Sequence, residues 1–340
     1  MNPLSSDDLA FMCSALEARA DRLRGAHVLI TGASGFVGLW LTEALVALNR
    51  CFDLRVSLTL VARDGGRLRT RHAHLLGQGT PMAILEQDVR DLRLVEQPSH
   101  VVHAAASASA ALNDADPREM ISVIVDGTRR VLDATQGADR FVFVSSGAIY
   151  GAQPEMLVCE EFLGGPDVTS PRSAYAEGKR LAEVLCAIAA ARSSRTISTA
   201  RAFAFVGPWL PLDTHFAVGN FLRDALAGVP IVVQGDGSAL RSYLYAAELA
   251  VWILGILVDG QTGRAYNVGS DQPTSIATLA GTVGDLFGVP VDIRGTPQGG
   301  PAHRYVPSVQ RARDELGLVQ TISLRDALLR TARWHGVAAP

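Results

Sequence analysis

Along this chain, short runs of consecutive apolar residues alternate with longer stretches in which apolar positions return every three or four residues. The runs predict strands buried on both faces, and the longer stretches predict helices. Residues 27–30, 56–61, 82–86, 99–103 and 140–145 read as strands. Residues 36 to about 48, 117–135 and 174–191 read as helices. Such alternation predicts an α/β fold with a doubly wound parallel sheet. Ahead of it, residues 1–24 place Leu9, Met12, Cys13, Leu16 and Ala20 at helical spacing after Ser5-Ser6-Asp7-Asp8, a helical extension whose role is packing. After Pro208 a helix opens at residues 218–221, an apolar run follows at 229–233, a strand returns at 265–269, and residues 303–307 precede terminal helices.

Composition narrows the class. In 340 residues, 48% hydrophobic and 19% charged, there is enough apolar surface for a large core, and disorder is excluded. A net charge of -3 gives no reason to expect nucleic acid as a partner. Cys13, Cys51, Cys159 and Cys186 lack metal-ligand spacing, so no metal is expected and the thiols read as reduced. The longest apolar run, 249–258, is too short to cross a bilayer, and the N-terminus has no signal-peptide core. The reading is a cytoplasmic protein without a membrane partner.

Between the first strand and the first long helix lies Thr31-Gly32-Ala33-Ser34-Gly35-Phe36-Val37-Gly38. Strand, glycine turn and helix together make a dinucleotide site of the Rossmann kind. Gly32 permits the turn, Gly35 admits the pyrophosphate, and Gly38 lets the helix approach the strand. The helix start at Ser34, Phe36 and Val37 offers unpaired N–H groups to phosphate. The second strand ends at Ala62-Arg63-Asp64. There an Arg would bind the 2'-phosphate of NADP and a carboxylate the 2'-hydroxyl of NAD. Arg63 comes first, which favours NADP(H), with NAD through Asp64 as the alternative. Small residues after the fourth strand, from Ala104 and Ala105 to Ser107 and Ser109, let a flat ring lie close to the backbone.

Lys179 is the only lysine, every other basic side chain that is always charged being arginine. It stands four residues after Tyr175, so both project from one helical face. An ammonium beside a phenol favours the phenolate, which predicts a lowered Tyr175 pKa and a general acid/base role. Ser146, at the carboxyl end of the fifth strand, is placed to bind the substrate oxygen that Tyr175 protonates.

From about Gly25 onward the chain resembles the extended short-chain dehydrogenase/reductases, in the nucleotide-sugar epimerase/dehydratase branch. The marks are the glycine turn, Gln87-Asp88-Val89, His103-Ala104-Ala105, Ser145-Ser146 with Tyr150-Gly151, Tyr175 with Lys179, and Arg201 leading to Val206-Gly207-Pro208. The resemblance implies that Ser146, Tyr175 and Lys179 are the catalytic trio. It also implies that Lys179 holds the nicotinamide ribose and that Asp88 and Val89 border the adenine. The expected substrate contacts are Ser107, Ser146, Asn220, Arg241 and Arg304, the two arginines on the diphosphate of a nucleotide sugar. One departure is Ile124, where the family usually has Asn. The expected organisation is a dinucleotide domain of residues 25–205 with 243–270, interwoven with a smaller substrate domain of 206–242 with 271–340. A homodimer through helices 117–135 and 174–191 is expected, both being apolar over more than one stripe.

In relatives that dehydrate the sugar, an Asp-Glu pair follows the catalytic hydroxyl; decarboxylating relatives place Glu at the second of these positions, and 3,5-epimerising relatives place Cys at the first. Here the positions are Gly147 and Ala148. What remains is hydride transfer with the Tyr175 proton. The resulting expectation is an NADP-dependent 4-ketoreductase of a nucleotide-linked 4-keto-6-deoxy sugar, with dTDP as nucleotide, in deoxysugar biosynthesis. The alternatives are a nucleotide-sugar 4-epimerase with bound NAD and, in another class, a non-catalytic redox sensor that binds the cofactor.

Overall fold

Seven parallel strands form the central sheet of the computed structural model. Described are residues 2–106, 110–153, 157–214, 216–296 and 302–337, without the side chains of residues 110–112. After α1 (Ser6–Leu16) come β1 (His27–Thr31), α2 (Phe36–Phe52), β2 (Ser57–Ala62), α3 (Gly65–Arg71) and β3 (Met82–Glu86). Next are β4 (His100–His103), α4 (Ala110–Ala115), α5 (Pro117–Ala134), β5 (Arg140–Ser146), α6 (Ala174–Arg192) and β6 (Thr196–Ala202). The short strands β7 (Phe205–Val206), β8 (Ile231–Val233), β9 (Leu240–Arg241) and β10 (Leu244–Tyr245) surround α7 (Ala217–Leu226). Then α8 (Ala246–Asp259) leads to β11 (Ala265–Val268). The chain closes with β12 (Thr274–Ser275), α9 (Ile276–Phe287), β13 (Val291–Ile293), β14 (Arg304–Tyr305), α10 (Gln310–Leu316) and α11 (Leu324–Trp334).

Strand residues alternate between two cores because successive side chains leave opposite faces of a sheet. Val28 and Ile30 join α2 and α8 on one side, while Leu29 joins Phe141, Met120 and Ala182, with α5 and α6, on the other. Across the sheet the strands lie in the order β11-β6-β5-β4-β1-β2-β3, so the order of succession reverses between β1 and β4, which opens a crevice at their carboxyl ends where such sheets bind ligands.

The N-terminal helix α1 lies against α2 and α8, with Met12 and Leu16 fully buried. Its Asp8 is buried and accepts from Tyr245 Oη (2.9 Å) and Arg330 (2.8 Å), joining both chain ends to the core. The extension thus lies on the face of the sheet opposite α5 and α6. Those two helices pack on each other and still expose Ile121, Leu181, Val184 and Ile188. Among the described residues no helix is long and apolar enough to cross a membrane, and no cluster of three or more His, Cys, Asp or Glu could hold a metal.

Candidate active site

The glycine turn sits at the sheet's point of reversal. Gly32 has φ +70°, and a Cβ there would lie 2.7 Å from the Ala104 carbonyl oxygen; a Cβ on Gly38 would lie 2.5 Å from the Gly32 oxygen. Only glycine allows β1, the start of α2 and the loop after β4 to approach so closely. No side chain caps α2 at Gly35, so its first N–H groups remain available to an anion.

A polar chain stiffens this crevice from behind. Thr128 Oγ1 donates to the Ile124 carbonyl (2.6 Å), so it accepts from His103 Nε2 (3.0 Å). His103 Nδ1 then accepts from Thr31 Oγ1 (2.7 Å), which accepts from the Ala105 N–H (3.2 Å). Burial, with the Lys179 charge second, lowers the His103 pKa to about 3, so the ring is neutral as this chain requires.

At the ribose end, Arg63 follows β2 and is exposed, while Asp64 accepts from the Arg67 N–H (2.7 Å) as the N-cap of α3. Arg71, which the sequence reading did not single out, bonds to the carbonyl of Ser34 in the glycine turn. Burial and then the neighbouring Arg67 hold its pKa below the ordinary guanidinium value, so two like charges face each other here. Asp88 is held by Arg90 through both carboxylate oxygens, at 2.9 Å each, and Val89 is buried with its Cγ1 2.7 Å from where a Cβ on Gly127 would lie.

The fifth strand and α6 bring Ser146, Tyr175 and Lys179 to one place. Burial holds the Tyr175 phenol above its ordinary range, and the neighbouring Ser146 hydroxyl offsets this only in part. The Tyr175 N–H donates to Asn113 Oδ1 (3.0 Å), whose Nδ2 donates to the Arg172 carbonyl (3.0 Å), so Asn113 fixes the start of α6. Lys179 Nζ donates to the Val144 carbonyl (2.7 Å) and lies 4.7 Å from the Phe143 ring centre. Its side chain is 3% exposed, and burial, partly offset by Glu183, depresses its pKa to about 7. The expectation that Lys179 lowers the Tyr175 pKa is therefore corrected: in this dry site desolvation dominates, and the ammonium is engaged with β5. Ile124 is buried and lies against Gly178 of α6, filling with packing the place of the family's Asn.

Tyr305 is a neighbour the sequence reading passed over, although it stands beside Arg304. Its Oη is 3.4 Å from Ser146 Oγ, its ring packs at a tilt against Phe203 (4.8 Å between centres), and burial raises its pKa. The same Phe203 closes the space at Gly147, where a Cβ would come within 2.6 Å of the ring. Parallel pairing of β9 and β14 places Arg241 opposite Tyr305, one residue from Arg304. Arg241 bonds to the carbonyls of Leu240 (2.8 Å) and His303 (3.2 Å), and the buried Nε of Arg304 has no protein acceptor among the described residues. Asn220 is on α7, its Oδ1 accepting from Arg223 (3.5 Å). Ser107 lies outside the described residues.

Sheet order, glycine turn and hydroxyl-bearing strand end define an enzyme of the extended short-chain dehydrogenase/reductase class. The chain belongs to the NAD dependent epimerase/dehydratase family, whose sequence model matches residues 28–269. It is 28% identical over 311 residues to UDP-glucuronic acid decarboxylase 2 of Arabidopsis thaliana, covering 90% of this chain and 67% of that one. UDP-glucose 4-epimerase of Thermotoga maritima, solved with UDP-glucose, superposes with a TM-score of 0.77 at 22% identity, over 91% of this chain and 98% of that one. A double mutant of dTDP-glucose 4,6-dehydratase from Streptomyces venezuelae, solved with NAD, superposes at 0.76 with 23% identity, over 91% and 96%.

Proposed function

We propose that the protein reduces the 4-keto group of a nucleotide-linked 4-keto-6-deoxy sugar, dTDP-linked, with NADPH as reductant. The observation that carries this reading is the closed space beside Ser146: Phe203 stands where any side chain at position 147 would begin, and Ala148 cannot titrate. No second acid or base stands in sequence next to Ser146 to move a proton elsewhere on the sugar.

The glycine turn and the uncapped start of α2 would hold the cofactor's pyrophosphate, and Lys179 its ribose. The exposed Arg63 at the end of β2 would bind a 2'-phosphate, with the neighbouring Arg67 and Arg71 adding positive charge nearby, whereas one carboxylate oxygen of Asp64 is engaged as a helix cap. NADPH, when bound, supplies the hydride that reaches C4. Tyr175 gives its Oη proton to the C4 oxygen. A phenol held protonated by burial suits that direction of transfer. Ser146 orients the ketone, and Tyr305 offers a second hydroxyl from the substrate side. Arg241 and Arg304 would bind the diphosphate, Arg304 through a donor that lacks a protein partner. Residues 25–205 with 243–270 serve the cofactor, and 206–242 with 271–340 the sugar nucleotide.

A second reading is a 4-epimerase with bound NAD, favoured by the family's cofactor and by the likeness to UDP-glucose 4-epimerase. A panel of nucleotide 4-keto-6-deoxy sugars, followed by NADPH absorbance, decides: oxidation of NADPH supports the reductase. Epimerisation of an intact nucleotide sugar without net oxidation overturns it. Arg63→Ala should weaken NADP more than tenfold while leaving NAD nearly unchanged, read by fluorescence titration. Equal weakening of both would return the ribose to Asp64.

The exposed apolar residues of α5 and α6 support a two-fold dimer, with these helices from each subunit forming a four-helix bundle. Leu185 of α6 packs with the subunit's own core, whereas Val184 is 52% exposed. Val184→Arg should therefore convert a dimeric mass to a monomeric one in light scattering. A monomeric wild type at micromolar concentration rules the dimer out.

A further inference from the structure

Cys13 and Cys51, 38 residues apart and without any motif spacing, meet across the packed helices α1 and α2. Their Sγ atoms are 2.6 Å apart, inside van der Waals contact, so little movement separates the pair from the about 2.05 Å of a disulfide bond. Cys13 is buried and Cys51 exposed, so one thiol faces solvent and the other waits behind it. Their approach is set by helix packing, since Met12 and Leu16 of α1 are buried in the same core as Leu41, Ala44, Leu45 and Leu48 of α2. Burial, with the Cys51 contact second, pushes the Cys13 thiol up to about 12. The pair stands about 24 Å along α2 from the glycine turn, far from the crevice.

We propose that Cys13 and Cys51 are a disulfide-forming site that locks α1 onto α2 when the protein meets a disulfide oxidant such as oxidised glutathione. The exposed Cys51 loses its proton to solvent and attacks one glutathione sulfur. One glutathione thiolate leaves, and Cys51 carries the other half as a mixed disulfide. Cys13 then gives up its proton, its sulfur attacks Cys51 Sγ, and the second glutathione leaves. Two protein thiols are oxidised and one glutathione disulfide is reduced to two thiols. The cross-link closes a long loop and so restricts the unfolded chain. It also secures the helix that carries Asp8, the acceptor for Tyr245 and Arg330.

The test uses the full chain incubated with excess oxidised glutathione, then denatured, alkylated and mapped by mass. We expect one cross-linked peptide pair containing positions 13 and 51, lighter by two hydrogens, and a melting temperature higher by about 3 °C or more. Dithiothreitol should reverse both. Cys51→Ser, a change at an exposed position, should show neither. Glutathione retained on Cys51 with Cys13 still open to alkylation, or equal melting temperatures for oxidised and reduced protein, overturns the proposal.

Discussion

Tyr175→Phe lowers turnover by roughly 10²-fold or more and leaves dinucleotide affinity nearly unchanged. The substitution removes only the hydroxyl: the ring keeps its place, and the backbone N–H bond to Asn113 that fixes the start of α6 does not involve the side chain. On the proposed mechanism, what is lost is the proton for the sugar oxygen, together with the influence of the Ser146 hydroxyl on the phenol. Steady-state rates and a fluorescence titration of the cofactor read the two quantities separately. A Phe variant with near-normal turnover would place the acid elsewhere, with Tyr305 the first group to examine.

Lys179→Arg abolishes most activity, at least tenfold, and destabilises the fold by about 2 kcal/mol or more, although charge is retained. The pocket presents one backbone acceptor, the Val144 carbonyl, beside the Phe143 ring, in surroundings that leave the side chain 3% exposed. A lysine fits because its single nitrogen needs little space and can shed its proton, as the depressed pKa of about 7 indicates. A guanidinium cannot shed its proton, and most of its donors would be buried without partners. The pH dependence distinguishes charge from size. The folded pKa lies near 7 and the unfolded one near about 10.4, so the unfolded chain binds more protons between these values, and Lys179's contribution to stability improves as pH rises through them. Lys179→Met should thus exceed wild type in stability below pH 7, the gap closing toward about pH 10. Urea unfolding at both ends of that window measures it, and a pH-independent gap would mean that Lys179 keeps its charge when folded.

Much of the architecture was legible along the chain. The runs at 27–30, 56–61 and 140–145 became β1, β2 and β5 within one residue at each end. A parallel strand covered by helices on both faces must be apolar at every position, and that leaves a plain signal. β6, Thr196–Ala202, lacks such a run, since Ser198 and Thr199 are buried in the sheet as polar residues. The glycine turn was readable because its close contacts admit no side chain.

The sequence by itself determined the class of fold and the glycine turn, and it singled out Ser146, Tyr175 and Lys179 as candidates, because each depends on spacing within one element or on residue types at a strand's end. Tertiary structure decided what depends on contacts between distant segments and on exclusion of water. Tyr305 reaches Ser146 across 159 positions, and Cys13 meets Cys51 across 38. Asn113 reaches Tyr175 only because α4 packs beside the start of α6. The protonation of Tyr175 and Lys179 likewise could not be read from their spacing of four. Spacing measures their mutual attraction, whereas the cost of burial depends on everything packed around them, and here burial is the larger effect.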